Sequence, residues 1–188
     1  MIYIFLAIAA IYLIFFLRLR SSFKSYKIDY KSNKEINCSY VSVVVAVKDE
    51  ETNIKLLLNS LAQQNYPIDK IEFIIVDDNS KDRTYEFVMD RVTNDNRFHI
   101  LKAGHSSSGM APKKWALNRG IDKAKGQIIL MTDGDCTMNK HWAVDMTQPF
   151  NDQNVGMVLG SSPLGNSFSF WDRVIRMDSI GLDAIMMS

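Results

Sequence analysis

The chain is poor in the residues that build metal clusters and disulfide frameworks. Its 188 residues include two cysteines, Cys38 and Cys136, and three histidines, His99, His105 and His141. Two isolated cysteines make neither a disulfide framework nor a thiolate ligand set. No histidine is paired at metal-ligand spacing, which argues against a zinc site. A surplus of one charge is lacking as well, with 22 Lys+Arg against 21 Asp+Glu. Without a basic surplus no nucleic-acid partner is expected. The length suits one domain of the usual size.

Charge is also missing locally. "MIYIFLAIAAIYLIFFL", Met1 to Leu17, has no charged residue, and Arg18, Arg20, Lys24, Lys27, Lys31 and Lys34 follow against one acid, Asp29. A secretory signal would carry a positive n-region and a small-residue cleavage site, and neither is present. The run is slightly short for a span of roughly 20 residues, with Leu19 and a snorkelling Arg18 to complete it. These features predict a transmembrane anchor over 1–19 and a basic juxtamembrane linker over 20–39 lying on anionic headgroups. The positive-inside rule then makes this a cell-membrane protein with its main domain cytoplasmic.

Beyond the linker, apolar runs alternate with helical periodicity. "YVSVVVAV" (40–47) reads as a strand covered on both faces. Ile54, Leu57, Leu58 and Leu61 form one helical stripe, closed by "NYP". "IEFIIV" (71–76) predicts a second strand, Tyr85, Val88, Met89 and Val92 a second helix, and "FHIL" (98–101) a third strand. A third helix is expected near 112–123, a fourth strand at "QIILM" (127–131) and a fifth at "VGMVLG" (155–160). Strands separated by helices indicate βαβ units, hence an α/β fold with a mostly parallel sheet flanked by helices. The main domain is expected over 40–160. The segment 161–188, with its aromatic and aliphatic residues at helical spacing, reads as the incomplete start of an acceptor-side or membrane-interfacial helical region of a longer chain.

Asp49, Asp77, Asp78, Asp133 and Asp135 all fall at or just past predicted strand ends. Ligands of parallel sheets bind outside those ends. In "IILMTDGDCT", Asp133 and Asp135 flank Gly134, and two carboxylates so close repel one another unless a cation is shared. Mg²⁺ or Mn²⁺, hard cations that bind oxygen and share phosphate ligands, suit such a pair. Gly134 allows close approach. In "PKKWALNRG", Lys113 and Lys114 start a helix against its dipole, and a bound phosphate would offset them. Asp77 and Asp78 precede the turn signal Asn79-Ser80, where an acid can accept from a base N–H or a ribose hydroxyl, or cap the next helix.

The stretches "VSVVVAVKDEETNIKLLLNSLAQQNYP", "IEFIIVDDNSKDRT", "PKKWALNRG" and "GQIILMTDGDC" occur in the order found in family 2 inverting glycosyltransferases of the Rossmann-like GT-A fold, which the chain resembles over about residues 40–137. The resemblance implies transfer from a nucleoside diphosphate sugar, UDP-linked by preference, to a lipid or glycan acceptor at the membrane. It places Ala46, Val47 and Glu50 beside the base, Asp77 or Asp78 on the uracil or ribose side, Lys113 facing the nucleotide, Asp133 toward ribose and metal, and Asp135 on the metal. The family often has "GKAxALN" where this chain has Pro112 and Trp115. Its general base is an acid downstream of the DxD. Asp172, Asp178 and Asp183 lie in no matching motif, so no catalytic base is identified, and it is expected beyond residue 188. Three other readings stay open. "DGDCT" fits the DxDxT of Mg²⁺-dependent phosphatases, although that motif belongs on a first strand. A sugar nucleotidyltransferase shares the fold type but wants a glycine-rich loop that "AVKDEE" lacks. An inactive or truncated nucleotide-sugar-binding scaffold needs no base.

Overall fold

The computed structural model describes residues 2–25, 38–106 and 109–160. The expected helical region at 161–188, and most of the expected linker, lie outside the described residues. The described residues belong to two compact units, helix α1 (Ile2–Ser25) in the first and the segment from residue 38 to Val158 in the second.

Among the described residues no helix is long and apolar enough to cross a membrane, which overturns the predicted anchor. Helix α1 is charge-free only from Ile2 to Leu17. That stretch spans about 24 Å at the α-helical rise, against roughly 30 Å of bilayer hydrocarbon. Arg18, Arg20 and Lys24 continue the same helix instead of ending an apolar one. The cell-membrane location, the cytoplasmic sidedness and the membrane as a partner were all inferred from that span, and they lose their basis with it.

The second unit is built on four parallel strands, β1 (Val41–Val47), β2 (Ile71–Asp77), β3 (Phe98–Lys102) and β4 (Ile128–Asp133), in the order β3-β2-β1-β4. Between them run helices α2 (Ile54–Ala62), α3 (Thr84–Asn94) and α4 (Pro112–Ile121), and α5 (Trp142–Thr147) follows β4. The two central strands are the valine- and isoleucine-rich ones, and nearly every residue of β1 and all of β2 are buried. Side chains alternate faces along a strand. Val41, Val43, Val45 and Val47, with Ile71, Phe73 and Ile75, therefore meet α2 through Ile54, Leu57, Leu58 and Leu61. Burying each of those four aliphatic side chains contributes about 1.5–3 kcal/mol. Phe73 stacks on Phe98 at 4.5 Å between centroids. The opposite face presents Val44, Ile74 and Val76 to Ala116 of α4.

The predicted fifth strand is not formed, and residues 155–160 are irregular. Glycines at 156 and 160 weaken a strand, and the Asp152 turn, with Val155 N–H donating to the Asp152 carbonyl at 3.0 Å, redirects the chain. Met157 there is 74% exposed, so no sheet face covers it.

Away from the strand exits, at the start of the strands, Glu72 is buried and satisfied. Ser42 Oγ donates to it at 2.6 Å and the Lys125 amide at 2.8 Å, while the Gly126 amide donates to Ser42 Oγ at 2.8 Å. This ties the β4 entry to β1 and β2.

Gly120 lets α4 lie close to the sheet. A Cβ there would stand 2.4 Å from Val44 Cγ1 and 3.0 Å from Val76 Cγ2, both on buried, stiff β-branched side chains. Helix propensity favours alanine by about 1 kcal/mol, whereas overpacking costs about 1–3 kcal/mol. Gly120→Ala is therefore predicted to lose up to about 2 kcal/mol net, read as a lower urea midpoint. An unchanged or higher midpoint would show that α4 can lift off the sheet freely.

Candidate functional site

Register brings the strand exits level. Val47 pairs with Asp77 across β1 and β2, and Ala46 pairs with Asp133 across β1 and β4. Adjacent strands lie about 4.8 Å apart, so the residues just past these positions share one rim. The loops after β1 and β2 are laced together there. Asp49 N–H donates to Ser80 Oγ at 3.0 Å, and Lys81 N–H donates back to Asp49 Oδ1 at 2.7 Å. Glu50 N–H donates to Thr84 Oγ1 at 2.8 Å and Glu51 N–H to Asp82 Oδ2 at 2.9 Å. Asp49 and Asn79 adopt left-handed backbone, with φ of 52° and 57°. Short polar side chains of this kind visit that region at low cost.

Inside the rim lies a cleft of about 260 Å³, lined by Ala46, Val47, Lys48, Glu50 and Asp78 on one side and Lys113, Asp133, Gly134 and Asp135 on the other. Gly134 belongs to its wall, since a Cβ would meet Val47 Cγ1 at 3.1 Å and Glu50 Cγ at 3.3 Å. Asp133 and Asp135 sit at the exit of β4, and Lys113 in the first turn of α4. Lys113 Nζ donates to Asp133 Oδ1 at 2.7 Å. That hydrogen bond, with the charges of Asp133 and Asp135, holds the ammonium above its usual pKa. Lys48 Nζ lies 3.3 Å from Asp78 Oδ2. Glu50 Oε2 accepts from Asn53 Nδ2 at 3.0 Å. The cleft thus holds two lysines against Glu50, Asp78, Asp133 and Asp135, an excess of negative charge.

Eight of the nine lining residues were read as site residues or as allowing close approach, and Lys48 was not. Its place just after β1, at a strand exit, is the signal that marks it. Asp77 is not among the lining residues. It is buried, its Oδ1 accepts from Ser80 N–H at 3.3 Å, and its carbonyl accepts from Ala103 N–H at 2.9 Å. Asp49 is likewise occupied within the loops. Trp115 lies outside the lining, with its indole N–H on the Ala103 carbonyl at 2.9 Å. Ser80, a residue of the predicted turn, and Asp82 and Thr84 beyond it supply the side chains of the lacing.

Among the described residues no group of three His, Cys, Asp or Glu side chains could hold a metal ion. Asp133 and Asp135 are nevertheless a fitting pair for Mg²⁺ or Mn²⁺, which keep several waters and complete their shells with phosphate oxygens. The Asp133 side chain is 59% exposed in the cleft. "DGDCT" lies at the end of the fourth strand in chain order, not the first as the phosphatase reading requires.

The sequence profile of glycosyl transferase family 2 matches residues 42–181. A beta-monoglucosyldiacylglycerol synthase of Trichormus variabilis is 27% identical over 155 residues, covering 82% of this chain and 32% of the relative. The structure of Staphylococcus aureus TarS 1-349 in complex with UDP superposes with a TM-score of 0.51 at 28% identity, covering 66% of this chain and 39% of that one. TarS is a poly(ribitol-phosphate) beta-N-acetylglucosaminyltransferase. The mannosyltransferase PcManGT of Pyrobaculum calidifontis, in complex with GDP-Man and Mn²⁺, superposes with a TM-score of 0.64 at 24% identity, covering 77% of this chain and 41% of that one, and it supports the fold. The chain thus spans 32% of the length of the Trichormus synthase and 20% of that of full-length TarS.

The lacing is expected to weaken in acid. Hydrogen bonds from Thr84, its hydroxyl first, and from the Glu51 amide hold the Asp82 carboxyl below its usual range. A depressed folded-state pKa contributes stability above about pH 4 and loses it as pH falls through the folded value. The urea midpoint of Asp82→Ala should fall short of wild type most at neutral pH, and the gap should narrow toward about pH 2. A gap independent of pH would mean that the carboxylate charge is not what laces the loops.

Proposed function

Because this chain belongs to glycosyl transferase family 2, we propose that its cleft binds a nucleoside diphosphate sugar for transfer, with inversion, to a hydroxyl of a lipid or glycan. The observation that carries this reading is the meeting of Asp78, Lys113, Asp133 and Asp135 in one cleft. They come from two strand exits and a helix start far apart in the chain. Ala46 and Val47 form the wall for the base, with Glu50 and Asp78 as acceptors for base N–H or ribose hydroxyl groups. Asp77 joins that side only through the turn it holds. Lys113 faces the diphosphate. Asp133 reaches toward ribose and metal, and Asp135 toward the metal. A bound Mg²⁺ or Mn²⁺ would supply positive charge to the departing diphosphate.

Uridine is the favoured base, supported by the likeness to a UDP-bound transferase at 28% identity. Lipid and polymer acceptors are supported by the names of the relatives. Donor groups already aimed at the departing phosphates need no reorganisation as charge builds there. The base that deprotonates the acceptor is not assigned to any described residue.

Calorimetry of uridine diphosphate with and without Mn²⁺ tests the reading on the full chain. Binding should be tighter with Mn²⁺, and Asp135→Asn should weaken the Mn²⁺-dependent affinity about tenfold to a hundredfold, the worth of one hydrogen bond or ligand contact to a charged group. The same variant should unfold at an unchanged or slightly higher midpoint, since it relieves repulsion with Asp133. Equal affinity with and without Mn²⁺, in wild type, would remove the metal from this account.

A further inference from the structure

The Lys113–Asp133 pair has a property that the donor-binding role alone does not require. A lysine that only awaits a phosphate could point into solvent. Instead its ammonium lies 2.7 Å from Asp133 Oδ1, on one of the two carboxylates suited to a cation. Both side chains are open, 61% and 59% exposed, so the pair is an exposed one and easily exchanged. The other lysine of the cleft differs. Lys48 rests on Asp78, whose side chain is only 10% exposed and which does not belong to the DxD. Among the described residues Asp135 forms no ion pair and accepts the weak Cys136 thiol contact at 3.8 Å, feeling Lys113 through its charge alone. Half of the dicarboxylate is therefore neutralised by a residue of the chain itself.

We propose that Lys113 is an internal counter-ion that couples the two halves of the donor site, masking Asp133 until a nucleoside diphosphate draws its ammonium away. The inference rests on the reading of Asp133 and Asp135 given above. With Lys113 on Asp133, an incoming divalent cation meets a carboxylate already in use and a positive charge beside it. With Lys113 on a diphosphate, both carboxylates are free and the repelling charge has a partner. Cation and nucleotide then each bind weakly alone and more tightly together. By linkage the gain is the same whichever binds first. The chain avoids holding a tightly bound divalent ion when no donor is present, and the bare carboxylate pair avoids its own repulsion.

The test is Mn²⁺ binding to the full chain without nucleotide, read from the electron paramagnetic resonance signal of free Mn²⁺. Lys113→Met should bind Mn²⁺ about twofold to fivefold more tightly than wild type, the range of an exposed ion pair. The same variant should bind uridine diphosphate more weakly, and the factor by which uridine diphosphate tightens Mn²⁺ should shrink. Lys48→Met removes the same charge from the same cleft, but from Asp78 and not from the DxD, and should tighten nucleotide-free Mn²⁺ binding less than Lys113→Met does. Unchanged Mn²⁺ affinity in Lys113→Met would overturn the inference while leaving the proposed function standing, because a lysine that merely contacts phosphate has no effect in its absence. Equal tightening in both lysine variants would overturn it too, since a general field and not masking would then be at work. Mn²⁺ binding that Asp135→Asn does not weaken would overturn the inference and the proposed metal role together.

Discussion

Parallel pairing on both sides of β1 is the constraint on which the rest depends. One register sets Val47 level with Asp77, the other sets Ala46 level with Asp133. A slip of one residue in either ladder would exchange the two packed faces and carry the acids at the strand ends off the common rim, since side chains alternate faces. The hydrophobic pattern that holds the core therefore also holds the rim. The Ser42–Glu72 network adds a polar check at the opposite end, where the Lys125 and Gly126 amides find their acceptors. A buried carboxylate is costly unless fully satisfied, so this end tolerates only the observed alignment.

The cleft tolerates an excess of carboxylates because most of its charged groups remain open to solvent, where water screens their repulsion. Asp78 is the buried exception and has both Lys48 and the Asn79 amide beside it. Burial and pairing go together here, and exposure and availability go together at Asp133 and Asp135. A polyanionic ligand with a divalent cation complements such a surface better than either ion alone.

Most of the sheet was legible in the sequence because its strands are pure signals. Runs rich in valine and isoleucine correspond to β1, β2 and β4, the short run "FHIL" to β3, and one aliphatic stripe to α2. Boundaries were less legible. β4 runs on to Asp133 because its pairing with β1 continues to Ala46, which no local pattern reveals. The apolar 155–160 run resembled a strand, but glycines and a turn overrule hydrophobicity there. The N-terminal run lacks charge as a span does, but its charge-free stretch is short and Arg18 and Arg20 continue the same helix. Within the cleft, acids at strand exits were visible, but the division of labour between Asp77 and Asp78 was not. Adjacent residues at a strand end point to opposite sides, so one holds the turn and the other meets the cleft. The role of Lys48 is set by a partner distant in sequence, Asp78, which no local pattern reveals.

The laced loops carry one more consequence. Amides in surface turns ordinarily exchange their protons with water quickly, because little must open to expose them. Those of Asp49, Glu50, Glu51 and Lys81 are each held by a side chain from the other loop. Their exchange requires the two loops to part together, so they behave kinetically as an extension of the sheet. One bank of the cleft is thus a single stiff body and the other is a pair of open side chains on α4 and β4, which makes accommodation of a guest a one-sided event.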